Sequence, residues 1–140
     1  MHYINKKLLI NKVAVNKIVK QFGTPSYVYS YNLLRENILK FKKNFKKINP
    51  LICFAVKANN NIKILNEISR LGLGADVVSM GELMAALKAK IDPKKIVFSG
   101  VGKTYEEIIF AVKKKILLIN AESKSEIEVI LKVAKKFNTR

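Results

Sequence analysis

The chain has 140 residues, 49% of them hydrophobic, with a formal net charge of +17 from 27 basic against 10 acidic side chains. That is enough for one ordinary domain or part of a larger one, and no run approaches the roughly 18 apolar residues of a membrane span. One cysteine, Cys53, and one histidine, His2, exclude a disulfide framework, a cysteine metal cluster and serine–histidine or cysteine–histidine catalysis within the chain, and they fit a reducing cytoplasm.

Residues 1–10 carry neither the apolar core nor the small-residue cleavage site of a signal peptide. Residues 3–15, with Leu8, Leu9, Ile10, Val13 and Val15, read as a short strand or an extended arm. Asn16 is placed to cap a brief helix through Phe22, with Gly23 as its stop and Thr24-Pro25 turning the chain. Ser26-Tyr27-Val28-Tyr29-Ser30 has the composition of a strand. Over 31–47 the spacing predicts a helix, because Leu34, Ile38, Phe41, Phe45 and Ile48 make one apolar stripe; Asn49-Pro50 ends it.

A regular rhythm follows. Apolar runs start near Leu51, Gly74, Lys95 and Ile116, at offsets of 23, 21 and 21 residues, and each leads into a helical pattern. The helices are marked by Ile64, Leu65, Ile68 and Leu71, then Leu83, Ala86 and Leu87. After these come Tyr105, Ile108, Ile109 and Val112, and last Ile127, Ile130, Leu131 and Ala134. Ser79 with Glu82, Thr104 with Glu107 and Ser123 with Glu126 match the capping box that opens a helix. Strand and helix alternating at this pace predict an α/β fold with a parallel sheet, four βα units of a (β/α)8 barrel that needs about 250 residues. A small doubly wound sheet is the alternative, but no G-x-G-x-x-G follows any of the runs.

In a barrel, sites lie where strands run out into βα loops. In Leu51-Ile52-Cys53-Phe54-Ala55-Val56-Lys57, alternation puts Cys53, Ala55 and Lys57 on one, small face and Ile52, Phe54 and Val56 on the other, bulky one. A lysine at the end of a buried strand must be solvated, paired or covalently used, because an unpaired buried ammonium is costly. Asp76, Ser99 and Asn120 stand at the ends of the next three runs. Gly102-Lys103-Thr104 has the ending of a phosphate-binding P-loop, but the position that requires its first glycine holds Val97, so a tight turn before a capped helix is the better reading.

The charge invites a nucleic-acid reading that the composition weakens. Of the basic residues 24 are lysine and three arginine, and base-edge recognition leans on arginine. The lysines are spread over every helical segment, and with 17 isoleucines and 13 asparagines they fit a base-composition bias of the coding sequence.

Four segments, in order and similarly spaced, carry a family resemblance. They are Gly23-Thr24-Pro25-Ser26-Tyr27-Val28-Tyr29, Phe54-Ala55-Val56-Lys57-Ala58-Asn59, Gly74-Ala75-Asp76-Val77-Val78-Ser79-Met80-Gly81-Glu82-Leu83 and Ile96-Val97-Phe98-Ser99-Gly100-Val101-Gly102-Lys103-Thr104. Together they resemble the pyridoxal-phosphate-dependent amino-acid decarboxylases of the alanine-racemase-like barrel fold, over roughly residues 22–138, and within that group the diaminopimelate decarboxylases. Alanine racemases share Lys-Ala-Asn but usually continue as Tyr-Gly-His-Gly, where this chain has Asn60-Asn61-Ile62-Lys63.

The resemblance implies an arm over 1–30 and, over 31–140, the first half of a pyridoxal-phosphate-binding barrel whose C-terminal β-domain is absent. It implies that Lys57 holds pyridoxal 5'-phosphate as an imine and that Asp76 is the family acid beside the cofactor lysine. Glu82 matches a second family acid. The implied reaction is decarboxylation of meso-2,6-diaminopimelate to L-lysine, with another basic amino acid, of ornithine or arginine type, or a non-catalytic remnant as alternatives. It further implies a cytoplasmic protein without nucleic-acid, membrane or metal partners and a homodimeric parent. The family's phosphate-binding loop, ring-facing acid and substrate-reading residues come later than these segments, so the chain alone is expected to be inactive.

Overall fold

A computed structural model describes residues 2–139, in two compact units, Met1–Asn44 and Phe45–Arg140. In the first, His2–Ile4 (β1), Lys7–Ile10 (β2) and Val13–Ala14 (β3) form an antiparallel meander. The β1–β2 turn is two residues, Asn5 and Lys6, at φ 48° and 62°, which is the geometry that matches the twist of a hairpin.

Val15–Phe22 (α1) follows at once, and Gly23, at φ 78°, stops it by donating its N–H to the Val19 carbonyl at 2.8 Å. The cap expected at Asn16 is corrected. Pairing with β2 holds the chain through Ala14, so Ala14 is the N-cap, without a side-chain bond, and Asn16 already lies in the first turn. The strand expected over 26–30 is corrected too. Tyr27, Val28 and Tyr29 are exposed, and none of the described strands pairs with them; β-rich composition makes a strand only where a ladder forms.

Ser30 opens Tyr31–Phe45 (α2). Its Oγ accepts the Leu33 N–H at 3.2 Å and the Asn11 Nδ2–H at 2.8 Å, which ties the β2–β3 turn to the helix start. Of the expected stripe, Leu34 and Ile38 are half-buried, while Phe41, Phe45 and Ile48 are exposed.

The second unit repeats strand and helix four times. Its elements are Cys53–Ala55 (β4), Ile62–Arg70 (α3), Gly74–Val77 (β5), Met80–Lys88 (α4), Ile96–Phe98 (β6), Tyr105–Lys113 (α5), Leu118–Ile119 (β7) and Lys124–Lys136 (α6). The strands are parallel and ordered β4-β5-β6-β7, so the fold is α/β and each expected run holds a strand. The serine or threonine half of each expected capping box forms, and Thr104–Glu107 completes the box, while Glu82 and Glu126 accept instead from the N–H groups of Val78 and Glu122. Ser79, Thr104 and Ser123 each accept the N–H of the glutamate three residues on, at 3.2, 3.2 and 3.1 Å.

The core lies between the sheet and its helices. Ala75, Val77, Ile96 and Phe98 are fully buried on that side, against Leu65 and Ile68 of α3, Leu83 and Ala86 of α4, and Ile108 and Ala111 of α5. In α6 the buried hydrophobic residue is Val133, while Ile127 and Leu131, expected inside, are exposed. α6 packs on α5. At the joint of β4, β5 and β6 the chain needs glycine. A Cβ on Gly74 would collide with the Lys95 carbonyl oxygen and sit 2.8 Å from Cys53 Sγ.

Candidate active site at the strand ends

Parallel strands all deliver their following loops to one end of the sheet. Register partners share a face, so the pairs Ala55–Asp76, Asp76–Val97 and Val97–Leu118 form one row on the side away from the helices. Ser99 and Asn120 lie two residues past Val97 and Leu118 and extend the ladders, donating their N–H groups to Val77 O at 2.8 Å and Phe98 O at 2.9 Å. Asp76, Ser99 and Asn120, expected singly at strand ends, are thus brought together. The Ser99 hydroxyl donates to Asp76 Oδ1 at 2.6 Å and accepts from Asn120 Nδ2 at 3.0 Å.

Lys57 reaches this end by a different backbone from the one alternation predicts. β4 stops at Ala55, and Val56–Ala58 make one 3₁₀ turn, closed by the Asn59 N–H on Val56 O at 3.0 Å. The turn buries Val56 completely and leaves Lys57 exposed. The face expected to hold Cys53, Ala55 and Lys57 therefore holds Cys53 and Ala55 only. Burying the apolar side chain of Val56 wins over continuing the extended backbone. On its far side the turn is secured by Asn59 Oδ1, which accepts the Asn61 N–H at 3.0 Å, and by Asn61 Oδ1, which caps α3 through the Lys63 N–H at 2.9 Å. Lys57 is held between a core residue and a capped helix. Its own amine makes no hydrogen bond or ion pair with another described residue.

Beneath the row, Cys53 is half-buried and its Sγ lies 3.7 Å from the Lys95 carbonyl oxygen. Burial, and then the charge of Asp76, push its thiol up, so it stays protonated. Glu82 is used locally. Its Oε2 accepts the Val78 N–H at 3.0 Å, just ahead of the Ser79 cap.

A second lysine at these strand ends has the opposite surroundings. The Lys103 side chain is 1% exposed. Its Nζ donates to Gly100 O at 2.6 Å, Asn120 O at 2.8 Å and Glu126 Oε1 at 3.0 Å, and lies 5.7 Å from the centre of the Phe98 ring. All three ammonium protons are therefore used within the protein, and none is left for a phosphate, which removes the P-loop reading.

Glu126 Oε2 accepts the Glu122 N–H at 2.6 Å. Burial pushes the Glu126 carboxyl up, but the Glu122 N–H and the Lys103 ammonium outweigh it and hold the group below the ordinary carboxylate range. Glu107 is also held low, first by the Thr104 N–H, with the Met80 N–H and the Lys103 charge assisting against burial. It joins two helix starts, accepting from Thr104 at 3.0 Å and from Met80 at 2.9 Å. The sequence marked Glu107 and Glu126 as caps; it gave no sign that Glu126 pairs with a buried Lys103 or that Glu107 bridges to Met80.

Comparison with known proteins gives a consistent picture. Residues 32–139 match the family described as pyridoxal-dependent decarboxylase, pyridoxal binding domain. The chain is 42% identical over 140 residues to the diaminopimelate decarboxylase of Aquifex aeolicus, covering 100% of this chain and 33% of that protein. The crystal structure of the Helicobacter pylori diaminopimelate decarboxylase complexed with L-lysine is 42% identical, with a TM-score of 0.85, over 89% of this chain and 32% of that one. The M. jannaschii diaminopimelate decarboxylase, also in complex with L-lysine, is 35% identical, with a TM-score of 0.92, over 96% and 32%. The chain spans about a third of the length of the curated relatives it matches.

Proposed function

This chain belongs to the pyridoxal-dependent decarboxylases, and on that premise we propose that Lys57 is the residue to which pyridoxal 5'-phosphate attaches. We further propose that the whole protein decarboxylates meso-2,6-diaminopimelate to L-lysine. The observation that carries the first part is the state of Lys57. It is an exposed amine without a partner among the described residues, on a 3₁₀ turn at the strand ends, two residues past the Ala55–Asp76 pair. The substrate is supported by the names of the relatives and by the L-lysine, the expected product, in two of their structures.

The residues fit the cofactor. An aldehyde needs a primary amine that can lose its proton, and Lys57 Nζ is not committed elsewhere. The β4 residue paired with Asp76 is the small Ala55. When bound, pyridoxal phosphate supplies a sink for the electron pair left as the carboxylate departs as CO2. Lys57 Nζ would hold the cofactor and, when its nitrogen is free, could carry a proton at the reacting carbon of the substrate. Asp76 places a negative charge at the mouth that favours a protonated group facing it. The 3₁₀ turn, with Val56 in the core and Asn59 and Asn61 on the other side, orients the lysine.

The same reading takes residues 1–30 as an arm and 31–140 as part of a pyridoxal-binding barrel, in a cytoplasmic homodimer without a nucleic-acid partner. The 140-residue chain alone is expected to be inactive, since it supplies about a third of the relatives' length.

Borohydride reduction after incubation with pyridoxal phosphate, followed by peptide mapping, tests the attachment. The label is expected on Lys57; modification of other lysines with Lys57 untouched would overturn it. Release of CO2 by the whole protein from meso-diaminopimelate, set against ornithine and arginine, tests the substrate.

A further inference from the structure

The polar groups at the strand ends form one continuous chain. It starts at Glu126 and Lys103, whose ion pair is 3.0 Å long with both side chains buried. Lys103 Nζ holds the carbonyl of Asn120 at 2.8 Å, while the Asn120 N–H is bound to Phe98 O at 2.9 Å. The Asn120 backbone is thereby fixed on both sides, and its side-chain amide donates to Ser99 Oγ at 3.0 Å. Lys103 also holds the carbonyl of Gly100, next to Ser99, at 2.6 Å. Ser99 has one hydroxyl proton, and it goes to Asp76 Oδ1 at 2.6 Å.

Direction matters in this chain. Because Asn120 donates to Ser99, the Ser99 oxygen is already an acceptor and its proton is free to point at Asp76. Asp76 Oδ1 is then bound as an acceptor, and Oδ2 is left without a hydrogen-bond donor among the described residues.

We propose that Ser99 and Asn120 are positioning residues that orient the Asp76 carboxylate, and that the buried Lys103–Glu126 pair is their anchor. Its consequence for cofactor binding rests on the reading of Asp76 given above; the orientation itself does not. Loss of the Ser99 hydroxyl leaves Asp76 free to turn. Asn120→Asp reverses the chain, because a carboxylate there accepts the Ser99 proton and takes it from Asp76.

Two measurements on the whole protein test this. The first is the side-chain carboxyl resonance of Asp76 by 13C NMR without cofactor. Ser99→Ala and Asn120→Asp are expected to move it, and Ser99→Thr, which keeps the hydroxyl, to restore it. An unmoved resonance in the first two variants overturns the proposal. So does a displaced one in Ser99→Thr while that variant remains folded by circular dichroism.

The second is the affinity for pyridoxal phosphate, with Asp76→Asn as the benchmark. Ser99→Ala is expected to weaken binding about fivefold, the factor set by one net hydrogen bond, and Ser99→Thr to recover it. If the resonance moves but Asp76→Asn binds the cofactor normally, the positioning stands and the cofactor-side role of Asp76 falls. If Asp76→Asn weakens binding and Ser99→Ala does not, the positioning is overturned as a determinant of the site.

Discussion

Lys57 and Lys103 lie at the same end of one sheet and share a side chain, yet the fold treats them as opposites. Lys103 is buried, and three acceptors converge on its nitrogen. Lys57 stands on a 3₁₀ turn, exposed and without a described partner. The difference separates anchoring from chemistry. A desolvated ammonium is tolerable only when its hydrogen bonds are satisfied, and a nitrogen held by three acceptors of the protein is not available to an aldehyde. An amine that must form and break a bond has to be positioned through its backbone, which is what the turn, Val56 and the asparagines do for Lys57.

The largest effect expected from this contrast is at Lys57. Lys57→Ala abolishes borohydride-trapped pyridoxal phosphate at the site, while the unfolding free energy from urea titration changes by no more than about 0.5 kcal/mol, because an exposed side chain without partners is removed. A large loss of stability would break the comparison by showing that Lys57 also anchors. Lys103→Met does the reverse. It strands the buried Glu126 carboxylate and two carbonyl oxygens, and costs about 3 kcal/mol in urea unfolding. Lys103→Arg sharpens the same point at smaller cost, about 1–3 kcal/mol, because a planar guanidinium cannot replace a compact head at three converging acceptors without displacing them. Wild-type stability in Lys103→Met would show that the anchor is dispensable.

How far the sequence reveals all this depends on the range of each interaction. Strands buried beneath helices are short apolar runs, so β4 to β7 and their rhythm are readable. That rhythm also explains Asp76, Ser99 and Asn120, which are 23 and 21 residues apart, one βα repeat each, and therefore align. The caps are readable because donor and acceptor lie three residues apart. The turn at Val56–Ala58 is not readable, because alternation continues the strand one step too far and only the core shows why Val56 turns inward. Lys103 is hidden for a further reason. Two of its three acceptors are backbone carbonyls, and the third, Glu126, is 23 residues away. No local pattern distinguishes that lysine from its exposed neighbours.

The smallest effect tests the anchor without removing Lys103. In the folded chain Glu126 and Glu107 titrate below their ordinary carboxylate values. A depressed carboxyl adds stability that is present above the unfolded value, about 4.3, and lost as pH falls through the folded one. The urea midpoint is therefore expected to fall as the solution is taken from neutral to below that value. For Glu126 the gain is a remainder, since burial works against the Glu122 N–H and Lys103. Glu126→Gln is accordingly expected to flatten the acid limb only in part, leaving the share of Glu107, and Glu107→Gln to remove that share. Lys57→Ala should follow the wild-type curve throughout. If Glu126→Gln leaves the acid limb as steep as wild type, the Lys103–Glu126 pair adds no pH-dependent stability, and what distinguishes the two lysines is the burial and carbonyl bonds of Lys103 rather than its counter-charge.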